Sequence, residues 1–325
     1  MPSESFMIIP YTKNMENMSD STLYLSICIP TYDRLSILKK TLTSIYADLS
    51  DVNIDEFEVV ISDNSPNQST KVILEEFSYS NLKYIVADCE GFLNSFNALK
   101  NAKGLFLKLH NNYTILRPGT LKKMLEYVKS NLNDKPLIYF TNGLGLSFNV
   151  KTLYTFNDFM FHLSYFSSWS TGFSTWKEDF DNFDSLHIDR MFPQTSVLLS
   201  QDYKQKYIIN DLPIFENQDI PKKGGYNIFK VFLEDYVLLI NKSLDKSSMS
   251  IATFNKIKKD LLYDYVSSRY FKTVVLRIDN FEKTGIKSST LKHYNLKEYY
   301  LMILFSFFTP FRVLFRKLKC SLRYP

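Results

Sequence analysis

Continuous apolar runs alternate with helically spaced apolar residues through the first 140 positions of the chain. The runs lie at 24–31, 57–62, 82–86 and 105–109, with a weaker one at 137–140. Between them, apolar residues recur three and four positions apart, as at Leu35, Leu38, Leu42 and Ile45. A continuous run is typical of a strand buried on both faces, and the intervening spacing is typical of amphipathic helices. This alternation predicts an α/β fold with a doubly wound mixed sheet and right-handed crossovers.

The alternation stops near residue 141, and the rest of the chain predicts a more helical organisation. Helices are expected at 189–201, 228–240 and 248–278, with a basic, flexible loop (PKKGGY) at 221–226. We therefore divide the chain into a polar lead (1–22), an α/β domain (23–245) and a helical C-terminal extension (246–325).

A polar elbow, His110 to Thr114, follows the apolar run at 105–109. A helix opened by Pro118 is expected after it, because proline suits the first helical turn, where its missing N–H is not needed. Open α/β sheets bind ligands at the carboxyl ends of their strands. We therefore expect the elbow to border the binding site.

Four segments share their pattern with one enzyme family. The opening strand SICIPTYDR, the second strand VVISDNS, the segment CEGFLNSFNALKNAKG and the frame of the elbow together resemble the inverting GT-A glycosyltransferases of family 2. The resemblance covers roughly residues 24–140 and weakens from 160 to 240. It implies a GT-A fold and transfer of a sugar from a nucleotide-sugar donor, a UDP-sugar being preferred, to a glycan or lipid-linked acceptor.

The resemblance also implies which residues bind the nucleotide-sugar. They are Thr31, Asp33, Arg34, Asp63, Gly91, Asn94, His110, Asn111 and Asn112. Asp33 and Asp63 would hold the nucleoside, and the Asp63 carboxylate would accept a hydrogen bond from the nucleobase. Taken alone, an aspartate or asparagine after a strand more often caps a helix or a turn, so that reading stays open for Asp33, Asp63 and Asn94.

The elbow departs from the family, whose aspartate-rich DXD motif holds Mg²⁺ or Mn²⁺ at this place. Here the elbow contains no carboxylate. Hard cations prefer charged oxygen ligands, so a site made of His110 and two amides would be weak, and we assign no metal ligand. Two interpretations remain: either cationic side chains replace the metal, or the protein is a catalytically silent scaffold of a glycan-assembly complex. For the first, Lys222 and Lys223 are preferred, with Arg117 and Arg190 as alternatives.

An inverting transfer also needs a base for the acceptor hydroxyl. The segment SSWSTGFSTWKEDF resembles the family strand that precedes the base, and Asp189 falls where the base is expected. Glu178 and Asp179 are the reserve candidates. A purely structural role for Asp189, as a helix cap, is the alternative.

The composition is consistent with this interpretation and indicates the class of protein and its redox compartment. The chain is 45% hydrophobic and 22% charged with a net charge of +5, which is ordinary for a globular protein. Its three cysteines, Cys28, Cys89 and Cys320, fit no metal spacing and favour a reducing compartment. The polar lead has no apolar core of a signal peptide. Basic residues form no recognised nucleic-acid module.

The C-terminus predicts attachment to a membrane surface. Residues 299–311 (YYLMILFSFFTPF) are mostly apolar but too few to span a bilayer. The cations that follow are Arg312, Arg316, Lys317, Lys319 and Arg323. An apolar patch beside a basic cluster favours an anionic membrane surface. We expect a cytoplasmic enzyme of surface-polysaccharide synthesis (capsule or lipopolysaccharide), held peripherally at the inner face of the membrane. A core helix or a dimer contact is the alternative.

Overall fold

The computed structural model describes residues 22–47, 49–144, 146, 148–218, 220 and 224–314. Almost all of the predicted polar lead lies outside these residues. So do Lys222, Lys223, Cys320 and the tail cations after Arg312.

The strands, in chain order, are β1 (Leu25–Thr31), β2 (Phe57–Asp63), β3 (Leu82–Val86), β4 (Phe106–Leu109), β5 (Thr114–Leu116), β6 (Leu137–Phe140), β7 (Val150–Leu153), β8 (Ser174–Trp176), β9 (Tyr207–Asn210) and β10 (Phe215–Asn217). The α-helices are α1 (Leu35–Tyr46), α2 (Ile73–Glu76), α3 (Leu93–Lys100), α4 (Thr120–Ser130), α5 (Phe156–Leu163), α6 (Lys177–Asp181), α7 (Pro193–Leu199), α8 (Ile228–Lys230), α9 (Val237–Asp245), α10 (Ile251–Asp260), α11 (Ser267–Tyr270), α12 (Ile286–Leu291) and α13 (Leu296–Ser306).

The central sheet has the order β3-β2-β1-β4-β8. Its first four strands are parallel, and β8 runs antiparallel to β4. The predicted doubly wound mixed sheet is therefore confirmed. Thr31 pairs with Asp63, so β1 and β2 end side by side, and the N–H of His110 donates to the carbonyl of Cys28 at 2.8 Å. The carboxyl ends of β1 and β2 and the polar elbow thus meet at one edge of the sheet.

The apolar run at 137–140 forms the expected strand but not in the expected sheet. It is β6, and it pairs with β9 in a separate three-stranded sheet of order β6-β9-β7. Strands β5 and β10, which were not predicted, form an antiparallel pair beyond the elbow. These strands are three or four residues long, and periodicity over so few positions cannot separate a strand from a turn.

Three predicted helices have different limits in the structure. The helix expected at 189–201 begins only at Pro193, because Asp184 and Asp189 each hold a turn before it. The helix expected at 228–240 runs through a π-helical turn, Val231–Tyr236, to Asp245. The helix expected at 248–278 spans 251–275 and contains two π-helical turns, Leu261–Val266 and Phe271–Val275. Such turns are rare and frequently occur at functional sites.

The two faces of the central sheet carry separate apolar clusters, because successive strand side chains point to opposite faces. Leu25, Ile27 and Ile29 of β1 face one cluster, and Cys28 faces the other. The cluster around Cys28 continues into the extension, through buried residues such as Leu261 and Met302. The predicted boundary at 245–246 is therefore crossed by one apolar core. Among the helices described, none has the length and apolar character needed to cross a bilayer.

Candidate active site

A cavity of about 410 Å³ opens at the carboxyl ends of β1 and β2, beside the elbow. The residues that line it are Pro30, Thr31, Tyr32, Arg34, Asn64, Gly91, Phe92, Asn94, Ser95, Asn111, Asn112, Tyr113, Ser168, Ser170, Met191, Phe192, Gln194, Tyr226, Val231 and Phe232. Six of the nine nucleotide-binding positions implied by the resemblance are among them. Within the part of the chain that the structure describes, neither a carboxylate nor a histidine lines this cavity.

Asn94 joins the strand ends that form the floor of the cavity. Its side-chain amide donates to the carbonyls of Thr31 (3.0 Å) and Ser62 (2.8 Å) and to the side-chain oxygen of Asn64 (2.9 Å). Its own oxygen accepts from the Ser62 hydroxyl at 2.6 Å. A buried amide with these bonds fixes the two strands and the turn after β2. Gly91 nearby has a φ of 51°, and a Cβ there would face open space, so the backbone is accessible to a ligand.

The Asp63 side chain lies outside the cavity lining and points into the protein. Its carboxylate accepts hydrogen bonds from the hydroxyls of Ser65, Thr70 and Tyr84 and from the Ser65 N–H at 2.8 Å. Burial alone would raise the pKa of Asp63, but these hydrogen bonds outweigh it and hold the pKa below its usual value. In this arrangement Asp63 orders the turn, and Asn64 is the residue of that turn that reaches the cavity.

Asp33 also lies beside the cavity lining rather than in it. Its carboxylate accepts from the Ser69 hydroxyl at 2.5 Å, and its N–H donates to the Ser65 hydroxyl at 2.7 Å. Asp33 and Arg34 both have positive φ angles, 53° and 68°. This turn places Tyr32 and Arg34, on either side of Asp33, at the cavity.

His110 is buried beneath the elbow and does not reach the cavity. Its Nε2 lies 2.8 Å from the carbonyl oxygen of Thr114, closing the elbow. Burial, with the nearby charge of Lys108, lowers the pKa of His110 to about 3, so the ring is neutral at physiological pH. Lys108 is itself buried, and its ammonium donates to the carbonyls of Leu109 (2.8 Å) and Thr171. His110 therefore acts here as a structural residue.

Asn111 and Asn112 do face the cavity, and both are held by hydrogen bonds. The Asn112 amide donates to the Thr31 hydroxyl at 2.8 Å, and its carbonyl accepts from the Thr41 hydroxyl at 2.8 Å. The Asn111 amide donates to the Tyr113 hydroxyl at 2.8 Å, and its side-chain oxygen accepts from Ser170 at 2.9 Å. The elbow is thus fixed by neutral donors and acceptors.

This elbow does not fit the divalent cation that the family resemblance implies. It contains no carboxylate, and the His110 imidazole is hydrogen-bonded to a backbone carbonyl. The side-chain oxygen of Asn111 already accepts a hydrogen bond from the Ser170 hydroxyl. Elsewhere in the described ranges, no group of three or more His, Cys, Asp or Glu side chains is placed to bind a metal ion. Mg²⁺ and Mn²⁺ prefer charged oxygen ligands. The described elbow residues therefore provide a poor site for either ion.

Of the cations considered from the sequence, Arg34 is placed best, since it lines the cavity. Arg117 pairs with Glu216 at 3.2 Å, and Arg190 lies 3.8 Å from Glu90. Neither Arg117 nor Arg190 lines the cavity.

Lys222 and Lys223 lie outside the described residues, but the end of their loop is well defined. Gly225 donates its N–H to the carbonyl of Asn280 at 3.3 Å. A Cβ on Gly224 would come within 2.3 Å of the same carbonyl oxygen, so only glycine fits there. The loop thus returns onto the extension immediately before Tyr226, which lines the cavity.

Asp189 holds the turn before α7. Its carboxylate accepts from the N–H groups of Met191 (2.8 Å) and Phe192 (2.9 Å), and both of these residues line the cavity. Asp235, in the π-helical turn Val231–Tyr236, was not expected from the sequence. Burial, and then the negative charge of Asp189, raise the pKa of Asp235. A pair of interacting carboxylates therefore lies behind this wall of the cavity.

The reserve candidates Glu178 and Asp179 are wrongly placed for a base. Trp176 pairs with Phe106 at the start of β4, so α6 follows at the opposite edge of the sheet from the elbow. Asp179 is buried there, 2.6 Å from the Lys204 ammonium, and Glu178 pairs with Lys135. Both carboxylates serve local structure.

Comparison with known proteins agrees with this geometry. The family model described as Glycosyl transferase family 2 matches residues 26–162. Residues 26–162 thus carry the family 2 glycosyltransferase pattern that the N-terminal segments implied. The fold is of the GT-A type with a helical C-terminal region. No curated protein matches the chain closely enough to count as a relative.

Solved structures share the fold at low sequence identity. TarS 1–349 of S. aureus in complex with UDP-GlcNAc is 18% identical with a TM-score of 0.54, and the match covers 83% of this chain and 79% of that chain. The mannosyltransferase PcManGT of Pyrobaculum calidifontis, in complex with GDP-Man and Mn²⁺, is 10% identical with a TM-score of 0.50, covering 93% and 87%.

Several cavity residues were not found from the sequence. Asn64 follows Asp63 directly, so the strand end marked the position but the wrong side chain was chosen. Ser168 and Ser170 belong to the aromatic segment that follows α5, where no periodic signal marks a loop. Tyr226 and Phe232 reach the cavity only through long-range packing of the C-terminal half.

The hydrogen bonds of Asp63 predict that Asp63→Asn mainly destabilises the fold. The charge that three hydroxyls satisfy is lost, so the free energy of unfolding should fall by about 1.5–3 kcal/mol at pH 7. Because the folded pKa is depressed, this contribution is present above the unfolded pKa and is lost as pH falls through the folded one. Urea unfolding at pH 7 and pH 3 measures both effects, with exposed Asp51→Asn as the control. Unchanged stability together with weaker UDP binding would restore a direct role for Asp63.

Proposed function

We propose that this glycosyltransferase moves a sugar, with inversion, from a nucleotide-sugar to a glycan or lipid-linked acceptor in surface-polysaccharide synthesis. The observation that carries the proposal is the cavity at the carboxyl ends of β1 and β2, lined by Thr31, Arg34, Asn94 and Asn112. Its position is the one at which open α/β sheets bind nucleotides. The ligands bound in the similar structures, UDP-GlcNAc and GDP-Man, support a nucleotide-sugar donor, and a UDP-sugar is our first choice.

The donor's nucleoside would lie over Gly91 and Asn94, with Asn64 in place of Asp63 as the polar group nearest the base. Its diphosphate would point towards Arg34 and the elbow. The departing diphosphate carries negative charge that must be stabilised in the transition state. Arg34 supplies one positive charge at the cavity. Lys222 and Lys223, on the loop that ends at Tyr226, are the proposed source of the rest, in place of a divalent cation.

Asp189 remains our proposed base. In a single in-line displacement, an acceptor hydroxyl oxygen bonds to the anomeric carbon as the bond from that carbon to the diphosphate oxygen breaks. The proton of the hydroxyl passes to the carboxylate, and the nucleoside diphosphate leaves. The neighbouring Asp235 is the second candidate for this role, since burial and then the negative charge of Asp189 raise the pKa of Asp235.

A binding-only role is the second candidate, and the lack of a carboxylate in the described cavity lining favours it. Such a protein would bind a nucleotide-sugar or a glycan in an assembly complex without turning it over. Detectable turnover of any nucleotide-sugar separates the two.

Thermal-shift screening of UDP-, GDP- and dTDP-sugars tests the donor. We expect one nucleotide to raise the melting temperature, because ligand bound to the folded state stabilises it by mass action. Transfer or hydrolysis of that nucleotide-sugar should then persist in EDTA. Complete loss in EDTA, restored by Mn²⁺, would refute the metal-free mechanism. Binding without turnover under every condition would favour the binding-only role.

Asp189→Asn tests the base while keeping the turn, since asparagine can cap the same N–H groups. We expect kcat to fall by about 10²–10⁴-fold with donor affinity unchanged. Asp184→Asn is the matched control, because Asp184 holds a similar turn through the Leu186 N–H but lies in an exposed segment. If Asp235→Asn abolishes transfer and Asp189→Asn does not, the base is Asp235.

The C-terminal helices expose an apolar face that we propose lies on an anionic membrane. Its side chains are between 53% and 61% exposed: Tyr300, Leu304, Phe307, Phe308, Phe311 and Leu314. Arg312, on the same segment, is used within the protein, donating to the Phe305 carbonyl (2.8 Å) and the Ser267 hydroxyl (2.9 Å). The electrostatic attraction would therefore come from the tail cations after it.

Replacing Phe307, Phe308 and Phe311 by Ser should abolish binding to vesicles of phosphatidylglycerol and phosphatidylcholine. The reason is the lost burial of apolar area in the interface, and sedimentation with the vesicles measures it. Tyr154→Ser, at a side chain that is 72% exposed outside this face, is the control. If the triple variant binds vesicles normally but converts a dimer to a monomer in light scattering, the face is a dimer contact instead.

A further inference from the structure

A second cavity, of about 440 Å³, lies beside the first. The two share one wall, made of Phe92, Tyr113, Ser168, Ser170, Tyr226 and Phe232. The opposite wall of the second cavity comes from the extension, at the π-helical turn Leu261–Val266, at α11 and at the residues after α13. The extension therefore builds a compartment that adjoins the donor cavity at the elbow.

The charge of this second cavity is positive. Arg269, Lys272 and Arg312 line it, together with the carboxylate of Asp264. Asp264 is bonded to the Tyr165 hydroxyl and to Arg312, so these two charges largely offset each other. The Arg269 guanidinium forms an ion pair with the Asp279 carboxylate at 3.3 Å and lies over the Tyr265 ring, 5.2 Å from its centroid, so its charge is partly offset and its orientation is fixed. No carboxylate of the described residues forms an ion pair with Lys272.

The field of these cations reaches the shared wall. Burial raises the pKa of Tyr113, whereas the positive charges of Arg34 and Arg269 act in the opposite direction. Tyr113, which lines both cavities, is therefore near Arg34 of the first cavity and Arg269 of the second. An anion bound in the second cavity would lie close to the elbow.

Aromatic rings form much of the remaining lining, together with small polar and aliphatic side chains. Trp169, Tyr226 and Phe232 offer ring faces of the kind on which sugars stack. Val313 lines the cavity and is itself 43% exposed, in the same helical turn as the exposed Phe311 and Leu314. A ligand in this cavity can thus extend from the elbow to the exposed apolar face.

We propose that the second cavity binds the acceptor, and that this acceptor is an amphiphile with a phosphate ester next to its sugar. The phosphate is held by Arg269 and Lys272, the sugar lies against the shared aromatic wall, and the apolar chain leaves past Val313. This assignment rests on the proposed function, since it takes the first cavity as the donor site. The acceptor hydroxyl would then meet the anomeric carbon of the donor where the two cavities adjoin, at Ser168 and Ser170.

The same two cations could instead hold the diphosphate of the donor, and the test separates these sources. The probes are farnesyl phosphate and farnesol for the amphiphile, and UDP and GDP for the donor. The test variant carries Arg269→Gln and Lys272→Gln. The control variant carries Lys259→Gln and Arg277→Gln, which remove the same charge from exposed positions of the extension. Quenching of Trp169 fluorescence and calorimetry report binding.

We expect the wild type and the control to bind farnesyl phosphate at least tenfold more tightly than farnesol. The test variant should lose this preference, while its affinity for the nucleotide stays within twofold. Lys272→Gln alone keeps the Arg269–Asp279 ion pair and should lose part of the preference for farnesyl phosphate. Arg269→Lys, which keeps the positive charge, should retain the preference.

Two results would overturn the assignment. One is equal binding of farnesyl phosphate and farnesol by the wild type. The other is a tenfold loss of UDP or GDP affinity in the test variant with farnesyl phosphate binding intact. That result would mean that Arg269 and Lys272 bind the diphosphate of the donor. If neither nucleotide binds the wild type but the phosphate preference depends on Arg269 and Lys272, the donor assignment fails and the anion site stands.

Discussion

The polar elbow between β4 and β5 keeps its shape because its side chains are hydrogen-bonded both to one another and to neighbouring segments of the protein. The imidazole of His110 bonds to the Thr114 carbonyl, and the amide of Asn112 joins the elbow to the end of β1 at Thr31. The side-chain oxygen of Asn111 ties it to Ser170. Buried polar groups must be satisfied, and a connected network of them specifies one geometry. The elbow is therefore fixed by neutral hydrogen bonds, and the cavity next to it depends on them.

The cations that line the two cavities come from segments outside the elbow. Arg34 approaches from the turn after β1, and Arg269 approaches from the extension. Tyr113 lies between them and forms part of both cavities. The first cavity belongs mainly to the strand ends, and the second belongs mainly to the helices of the C-terminal half. The aromatic wall between them is where the two halves of the chain make the site together.

Much of the sheet could be predicted from the sequence, because strands buried on both faces leave continuous apolar runs. β3 lies at 82–86 as expected, and β1, β2 and β4 differ by one residue at an end. The short strands β5 and β8 carry no such run, and their pairing depends on partners far along the chain. Local pattern therefore found the parallel core and missed the pieces that close around it.

The candidate site was likewise predicted only in part. The family resemblance implied Thr31, Asn94 and Asn112 as site residues, and all three line the cavity. The direction of a side chain at a strand end depends on its neighbours: three hydroxyls turn Asp63 inward, and a carbonyl does the same for His110. Arg269 could not be found, because nothing near it in sequence indicates that its helix packs beside the elbow.

The pairing of Gly224 and Gly225 with Asn280 has a consequence for how such chains can be rebuilt. The loop that precedes Tyr226 rests on the extension, and the apolar cluster beneath it includes Leu261 and Met302. A chimera that joins this α/β domain to the C-terminal part of another enzyme would expose apolar side chains that the extension now buries. It would also remove the support of the loop that ends at Tyr226, a residue that lines the first cavity. In this protein the α/β domain and the extension therefore form one structural unit, joined by a continuous apolar core.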